Sequence, residues 1–231
     1  MSTLTGLRAI LFDAVGTLIH PEPSAGAAYA LYGQRFGSRL EGSVIRRRFA
    51  EAFAAEETYD ATQAHRTDER RELERWQRIV RCVLDDVSEV QTCFDALYQH
   101  FAKPTAWRIE PGAGDLLRQL QQRGYLVGLA SNFDHRLREV IAGLAGLPPM
   151  THLFISSEVG WKKPAVQFFD CACRAIELPP QQVLMVGDDV ENDVEGATRA
   201  GMRALLLDPT HASGDADRLV RLEDLLTRLP G

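Results

Sequence analysis

Four groups of residues in this chain have the types and the order that chemistry on an anion requires. Ile10-Leu11-Phe12-Asp13-Ala14-Val15-Gly16-Thr17-Leu18 is an apolar run that ends in a carboxylate on a Gly-Thr turn. Ser131-Asn132 follows a second apolar run, Lys163-Pro164 lies beyond a third, and Gly187-Asp188-Asp189-Val190-Glu191-Asn192-Asp193 follows a fourth. A carboxylate attacking phosphorus approaches a group already ringed by negative oxygens. A divalent cation and a lysine neutralise both partners, and a hydroxyl with backbone amides holds the phosphoryl oxygens. Mg²⁺ prefers oxygen ligands and keeps several waters, so two carboxylates and a carbonyl suffice. Singly, each group has an ordinary explanation: Asp and Ser-Asn cap turns and helices, Lys-Pro is a solvated pair, and an acidic run suits a helix N-terminus. Four in this order on one rim resist that explanation.

The rim comes from short apolar runs. Ala9 to Phe12, Tyr125 to Ala130, Leu153 to Ser156, Val183 to Val186 and Ala204 to Leu207 read as buried strands. Helices alternate with the later ones. One covers Gly112 to Arg123 with Gly124 as its stop. Another starts at Pro164 and carries Phe168, Ala172 and Ala175 on one face. Alternation of helices with uniformly apolar strands predicts an α/β fold: a Rossmann-like, three-layer parallel sheet. Ligands of such sheets bind at the carboxyl ends of the strands, where all four groups fall.

Residues 20–108 break the rhythm and read as helices only. Ile45, Phe49 and Phe53 repeat at four; Leu73, Trp76, Val80 and Val83 repeat at three and four. Ser88-Glu89-Val90-Gln91 reads as a capping box opening a helix through Phe101, which Lys103-Pro104 ends. Pro21, Pro23 and Pro104 read as stiff connectors. The expected organisation is a core of residues 1–19 and 109–231 and an inserted all-helical unit of residues 20–108.

A net charge of −6 argues against nucleic acid or an anionic membrane as partner. No apolar run approaches the ~20 residues a membrane span needs, and Met1 to Leu7 does not read as a leader. Cys171-Ala172-Cys173 matches no zinc spacing; with Cys82 and Cys93, these read as buried thiols in a reducing compartment, the cytoplasm. Lys103, Lys162 and Lys163 are the only lysines, so lysine chemistry has few places to occur.

The combination resembles the haloacid dehalogenase superfamily with a helical cap inserted after the first motif. The resemblance spans nearly the whole chain. It rests on Asp13-Ala14-Val15-Gly16-Thr17, Ser131-Asn132, Lys163-Pro164 with Phe168 beyond, and Gly187-Asp188 with Asp193. Ser131 to Leu137 and Gly160 to Pro164 look most like the branch called haloacid dehalogenase-like hydrolase domain-containing proteins. The resemblance implies a Mg²⁺-dependent hydrolase of a small phosphorylated metabolite. Asp13 would be nucleophile and metal ligand, Asp188 the second ligand, and the main-chain carbonyl of Val15 the third. Asp193 would orient Lys163 or a metal-bound water, with Asp189 sharing that work. Ser131, the Asn132 amide and Thr17 would grip the phosphoryl group. Lys163 would offset its charge, and an aspartyl-phosphate would form and hydrolyse.

One position departs from the superfamily's phosphatase pattern. Two residues beyond the nucleophile that pattern has an aspartate, which protonates the leaving oxygen and later activates water; here stands Val15. A positioned acid-base group contributes ~10²–10⁴ in rate, about 3–5 kcal/mol of barrier. Three readings stay open. His20, Asp134 or His135 replaces the acid, or the leaving group needs little protonation. Alternatively the chain is similar to 2-haloacid dehalogenases, in which a bulky residue stands here and a cap arginine (Arg46, Arg47 or Arg48) would hold a carboxylate; Gly187-Asp188-Asp189 counts against this, because attack on carbon needs no Mg²⁺. The third reading is a silent phosphate-binding protein. A Schiff-base C–P hydrolase is disfavoured, since no lysine lies in residues 1–102.

Overall fold

Strands apolar along their whole length are stable only when both faces are covered. The computed structural model, which describes residues 4–211 and 217–230, meets that demand with a six-stranded parallel sheet. Its strands are β1 (Ala9–Phe12), β4 (Leu126–Ser131), β5 (His152–Ile155), β6 (Val183–Gly187), β7 (Arg203–Leu207) and β8 (Arg218–Leu219). Their order is β5-β4-β1-β6-β7-β8. Along β1 the side chains alternate: Ile10 and Phe12 join one apolar cluster, Ala9 and Leu11 the other. Helices α5 (Ala113–Gln122) and α6 (Arg136–Gly143) cover the first face; α8 (Val166–Ala175) covers the second. The chain moves to opposite sides of β1 in its two halves, and that reversal opens a crevice at the strands' carboxyl ends.

Four helices lie within residues 25–101: α1 (Ala25–Arg35), α2 (Gly42–Thr62), α3 (Glu69–Val83) and α4 (Val90–Phe101). They pack around Tyr29, Ile45, Ile79, Val80, Phe94 and Leu97. The chain leaves for and returns from them through an antiparallel ribbon of β2 (Ile19–Pro21) and β3 (Trp107–Ile109), which pairs His20 with Arg108 and Pro21 with Trp107. The sequence showed connectors there, because three-residue strands carry no readable period. Pro21 is tolerated because the ribbon has only two strands.

Three further expectations are corrected. Glu89, not Ser88, precedes α4, and no side chain caps it. Helix α8 starts at Val166, two residues beyond Pro164. Its buried face is Phe168, Phe169, Ala172 and Cys173, while Ala175 is exposed. The first three residues of the stretch read for a leader lie outside the described ones.

The four helices are tied to the sheet edge by buried charge. Lys162 is 1% exposed, and its Nζ lies 2.6 Å from Asp60 Oδ2 on α2 and 3.8 Å from Glu72 Oε1 on α3. Asp60 also accepts from Arg71 Nη2 at 2.6 Å, and Arg75 bonds Glu57. Beside this cluster the Lys162 N–H donates to His65 O at 2.8 Å, and Arg66 pairs with Trp161 in a short bridge. Removing one partner from a buried ion pair strands the other. Asp60→Ala should therefore destabilise the protein by about 3–5 kcal/mol, and Asp60→Leu with Lys162→Met should cost less than Asp60→Ala alone. Urea unfolding checks both; additive costs would mean the two charges act independently.

Candidate active site

Asp13, Val15, Ser131, Asn132, Lys163, Asp188, Asp189 and Asp193 all line one cavity of about 410 Å³ at the crevice. Asp13, Ser131 and Asp188 stand at or directly beyond strand ends, and the parallel register sets their spacing; Lys163 and Asp193 lie in the segments that follow β5 and β6. Asp13 directly follows β1, and its N–H donates to Val186 O on β6 at 2.9 Å. The turn after it needs glycine twice over. Gly16 has φ +101°, and a Cβ there would lie 2.3 Å from Asp188 Oδ2. At Gly187 a Cβ would lie 2.0 Å from Asp193 Oδ2, so a side chain there would displace Asp193 from the crevice.

Lys163 joins the two acidic loops. Its Nζ lies 2.7 Å from Asp13 Oδ1 and 2.5 Å from Asp193 Oδ1, and all three groups are buried. Asn132 fixes the lysine's backbone from both sides: its Nδ2 donates to Lys163 O at 2.9 Å, and its Oδ1 accepts from Lys163 N at 2.8 Å. The Asn132 side chain is thus a positioning group, a role the sequence did not reveal. Ser131 is buried beside it at the cavity wall.

Asp13, Asp188 and Asp193 each offer an oxygen within 4.8 Å of the others. Three carboxylates share one ammonium, which leaves a deficit of positive charge. Burial, together with Asp193 and Asp188, pushes the Asp13 carboxyl up to about 7, even though Lys163 pulls the other way. Asp188 keeps an exposed edge at the cavity mouth; partial desolvation of its carboxyl, then Asp193, raises it against the Thr17 hydrogen bond. All-oxygen donors with excess negative charge fit a hard divalent cation such as Mg²⁺.

Two expected contacts differ. Thr17 does not line the cavity; its hydroxyl donates to Asp188 Oδ1 at 3.0 Å and holds that acid instead of a phosphoryl oxygen. Asp189 accepts from Asn192 N at 2.8 Å and Asn192 Nδ2 at 3.1 Å, which caps the π-type helical turn Val190–Glu195.

The residues considered as replacement acids are engaged elsewhere. His20 Nε2 lies 2.7 Å from Glu110 Oε2, and His135 Nδ1 lies 2.5 Å from Glu69 Oε2. Asp134 receives Arg136 through two bonds, at 2.7 and 2.6 Å. Arg46, Arg47 and Arg48 do not line the cavity, and Arg48 pairs with Asp85. The arginines that do line it, Arg75 and Arg136, were not singled out by the sequence. Nor was the cavity's helical wall of Tyr29, Phe49, Phe53, Trp76, Phe94 and Phe101. Its only sequence signal was an excess of aromatic residues on faces read as plain core.

A model of the haloacid dehalogenase-like hydrolases matches residues 7–201. The chain belongs to that family. This hydrolase is 27% identical over 206 residues to human haloacid dehalogenase-like hydrolase domain-containing protein 3, covering 87% of the chain and 82% of the relative. Over 121 residues, 52% of the chain and 54% of the relative, it is 30% identical to a glyceraldehyde 3-phosphate phosphatase of Methanothermobacter thermautotrophicus. A Bacillus subtilis HAD hydrolase bound to magnesium superposes with a TM-score of 0.74 at 18% identity, over 96% of this chain and 98% of that one. A defluorinating L-2-haloacid dehalogenase superposes with 0.78 at 16%, over 98% of both. At such identities the superpositions show the fold.

A cation bound here must displace the proton that Asp13 holds below about pH 7. Mg²⁺ affinity should thus rise with pH, by up to about tenfold per unit, and level off above that value. Asp188→Asn should weaken it. Calorimetry in two buffers of different ionisation enthalpy would read the released proton; an affinity independent of pH would contradict this account of Asp13.

Proposed function

We propose that this hydrolase is a Mg²⁺-dependent phosphatase of a small phosphorylated molecule, working through a phosphoryl group carried on Asp13. The observation that carries the reading is Lys163 bound to both Asp13 and Asp193, with Asp188 close by. A buried ammonium between two carboxylates beside a third is suited to receiving a dianion once a divalent cation offsets the excess negative charge. Asp13, Asp188 and the Val15 carbonyl would hold the cation, which when bound supplies positive charge against the nucleophile and the phosphoryl oxygens.

Asp13 attacks phosphorus, aligned by its hydrogen bond to Lys163. Ser131 and the Asn132 amide bind phosphoryl oxygens, and Lys163 offsets the charge that collects on them. The leaving oxygen departs, and water then releases phosphate from Asp13. Asp193 fixes Lys163 throughout. Residues 20–108, taken as the cap, close over the crevice and exclude water. The similarity to a phosphatase over half the chain supports the reading. The four cysteines are unpaired, and we infer a cytoplasmic setting.

Val15 favours a second reading, halide displacement, because halide leaves without a proton. The surroundings do not favour it. Asp188 and Asp193 add negative charge where a haloacid carboxylate would sit, and Arg75 and Arg136 are already paired with Glu57 and Asp134.

Asp13→Asn should reduce phosphate release to background while leaving the fold intact, and a chelator should stop the wild type. Val15→Asp should raise turnover of esters with poor leaving groups, by up to ~10²–10⁴. Phosphate release assayed alongside halide release from 2-haloacids decides: chelator-insensitive halide release would overturn the phosphatase reading.

A further inference from the structure

We infer that the substrate is an aryl phosphate, a monoester whose leaving group is a phenol held among aromatic side chains. This rests on the phosphatase reading and adds the chemical class of the leaving group. Two independent features point to it.

The first is an apolar side chain in the place of the usual proton donor. Val15 lines the cavity where an acid would be needed, and His20, Asp134 and His135 are bound to Glu110, Arg136 and Glu69. No histidine lines the cavity. An alkoxide is about as basic as hydroxide, near 15.7, and needs protonation as it leaves. A phenolate, with a conjugate acid near 10, needs it far less.

The second is the aromatic wall of the same cavity. The rings of Tyr29, Phe49, Phe53 and Trp76 run in series, with centroids 4.8, 6.0 and 6.2 Å apart. Phe94 and Phe101 also line the space. The charged groups within it are spent on each other: Arg75 on Glu57, Arg136 on Asp134. A sugar would set most of its hydroxyls against this largely apolar wall, at a desolvation cost. A planar ring offers apolar area and favourable edge and face contacts.

In the step itself, a carboxylate oxygen of Asp13 bonds to phosphorus. The ester P–O bond breaks, and its electron pair leaves on the phenolate oxygen. Water then attacks the aspartyl phosphate, the bond from phosphorus to Asp13 breaks, and phosphate leaves. The water's two hydrogens end on phosphate or solvent and on the phenolate, so phenol and inorganic phosphate are the products.

The test compares phenyl phosphate with cyclohexyl phosphate, which has nearly the same shape, and adds glucose 6-phosphate and acetyl phosphate, all at saturating Mg²⁺. Phenyl phosphate should exceed cyclohexyl phosphate in kcat by at least about 100-fold, with similar KM. Glucose 6-phosphate should show a KM higher by about tenfold or more. In Val15→Asp the phenyl-to-cyclohexyl ratio should narrow; if that variant does not fold, the wild-type panel decides alone. Equal kcat/KM for the two ring esters, a preference for the sugar, or turnover of acetyl phosphate alone would overturn the aryl assignment and leave the phosphatase reading standing. Phosphate release from none of the four would overturn both.

Discussion

The ammonium of Lys163 between Asp13 and Asp193 is the contact on which the site depends. Burying a charge costs several kcal/mol unless its partners stay in place. Burial pulls the lysine's pKa down, yet Asp13 and Asp193 pull it up further, and the balance lies above the ordinary value. The lysine therefore stays charged, and the neighbouring loops are shaped around it. Asn132 grips its backbone, Gly187 makes room for Asp193, and Gly16 lets the Asp188 loop approach. One ammonium cannot balance three acids. The same arrangement that steadies the site keeps it short of positive charge, which suits it to a cation and a dianion arriving together.

The preceding residue does a different job. Lys162 reaches into the helices, to Asp60, while Lys163 reaches into the crevice. Two consecutive buried lysines on one loop thus join the helical layer to the reacting groups. Movement of α2 and α3 against the sheet would pull on the loop that carries Lys163. Glu72 and Arg75, buried on α3 with Asp60 and Lys162, make this junction ionic rather than apolar. Ionic contacts are directional, so the junction fixes one orientation of the helices over the crevice more narrowly than a greasy contact would.

The sheet was legible because its signal is local. Ala9–Phe12 is apolar on both faces, and a turn with Gly16 must follow, whatever the rest of the chain does. The acids and the lysine were legible because strand ends in a parallel sheet share one edge. What stayed hidden depends on distant partners. Lys162 carried no role in the sequence, since its partner Asp60 lies 102 residues away. Thr17 reads as a phosphoryl donor in the sequence, and only the approach of a loop 171 residues on turns its hydroxyl to Asp188. On α3 the period predicted a face through Leu73 and Trp76, but Glu72 and Arg75 are the more buried, because the core loop supplies opposite charge. The aromatic wall was in view all along at helical spacing; nothing in one helix tells a filled core from the side of a cavity.

Val15 and that wall are two halves of one energetic argument. Losing the acid raises the barrier by about 3–5 kcal/mol. Between an alkoxide and a phenolate the basicity difference is about 6 pKa units, roughly 8 kcal/mol at 1.36 per unit. If only about half of that is felt as the ester bond breaks, the leaving group recovers about 4 kcal/mol. The recovery matches the loss. An apolar residue at position 15 then stops being a defect: it extends the apolar surface against which a ring packs, and it keeps a further carboxylate out of a crevice already crowded with them. An aspartate there would add charge beside Asp13 and Asp188, and a phenolate would gain little from it. On the aryl-phosphate proposal the helices choose the leaving group, and a leaving group of that kind needs the missing acid far less for its own departure.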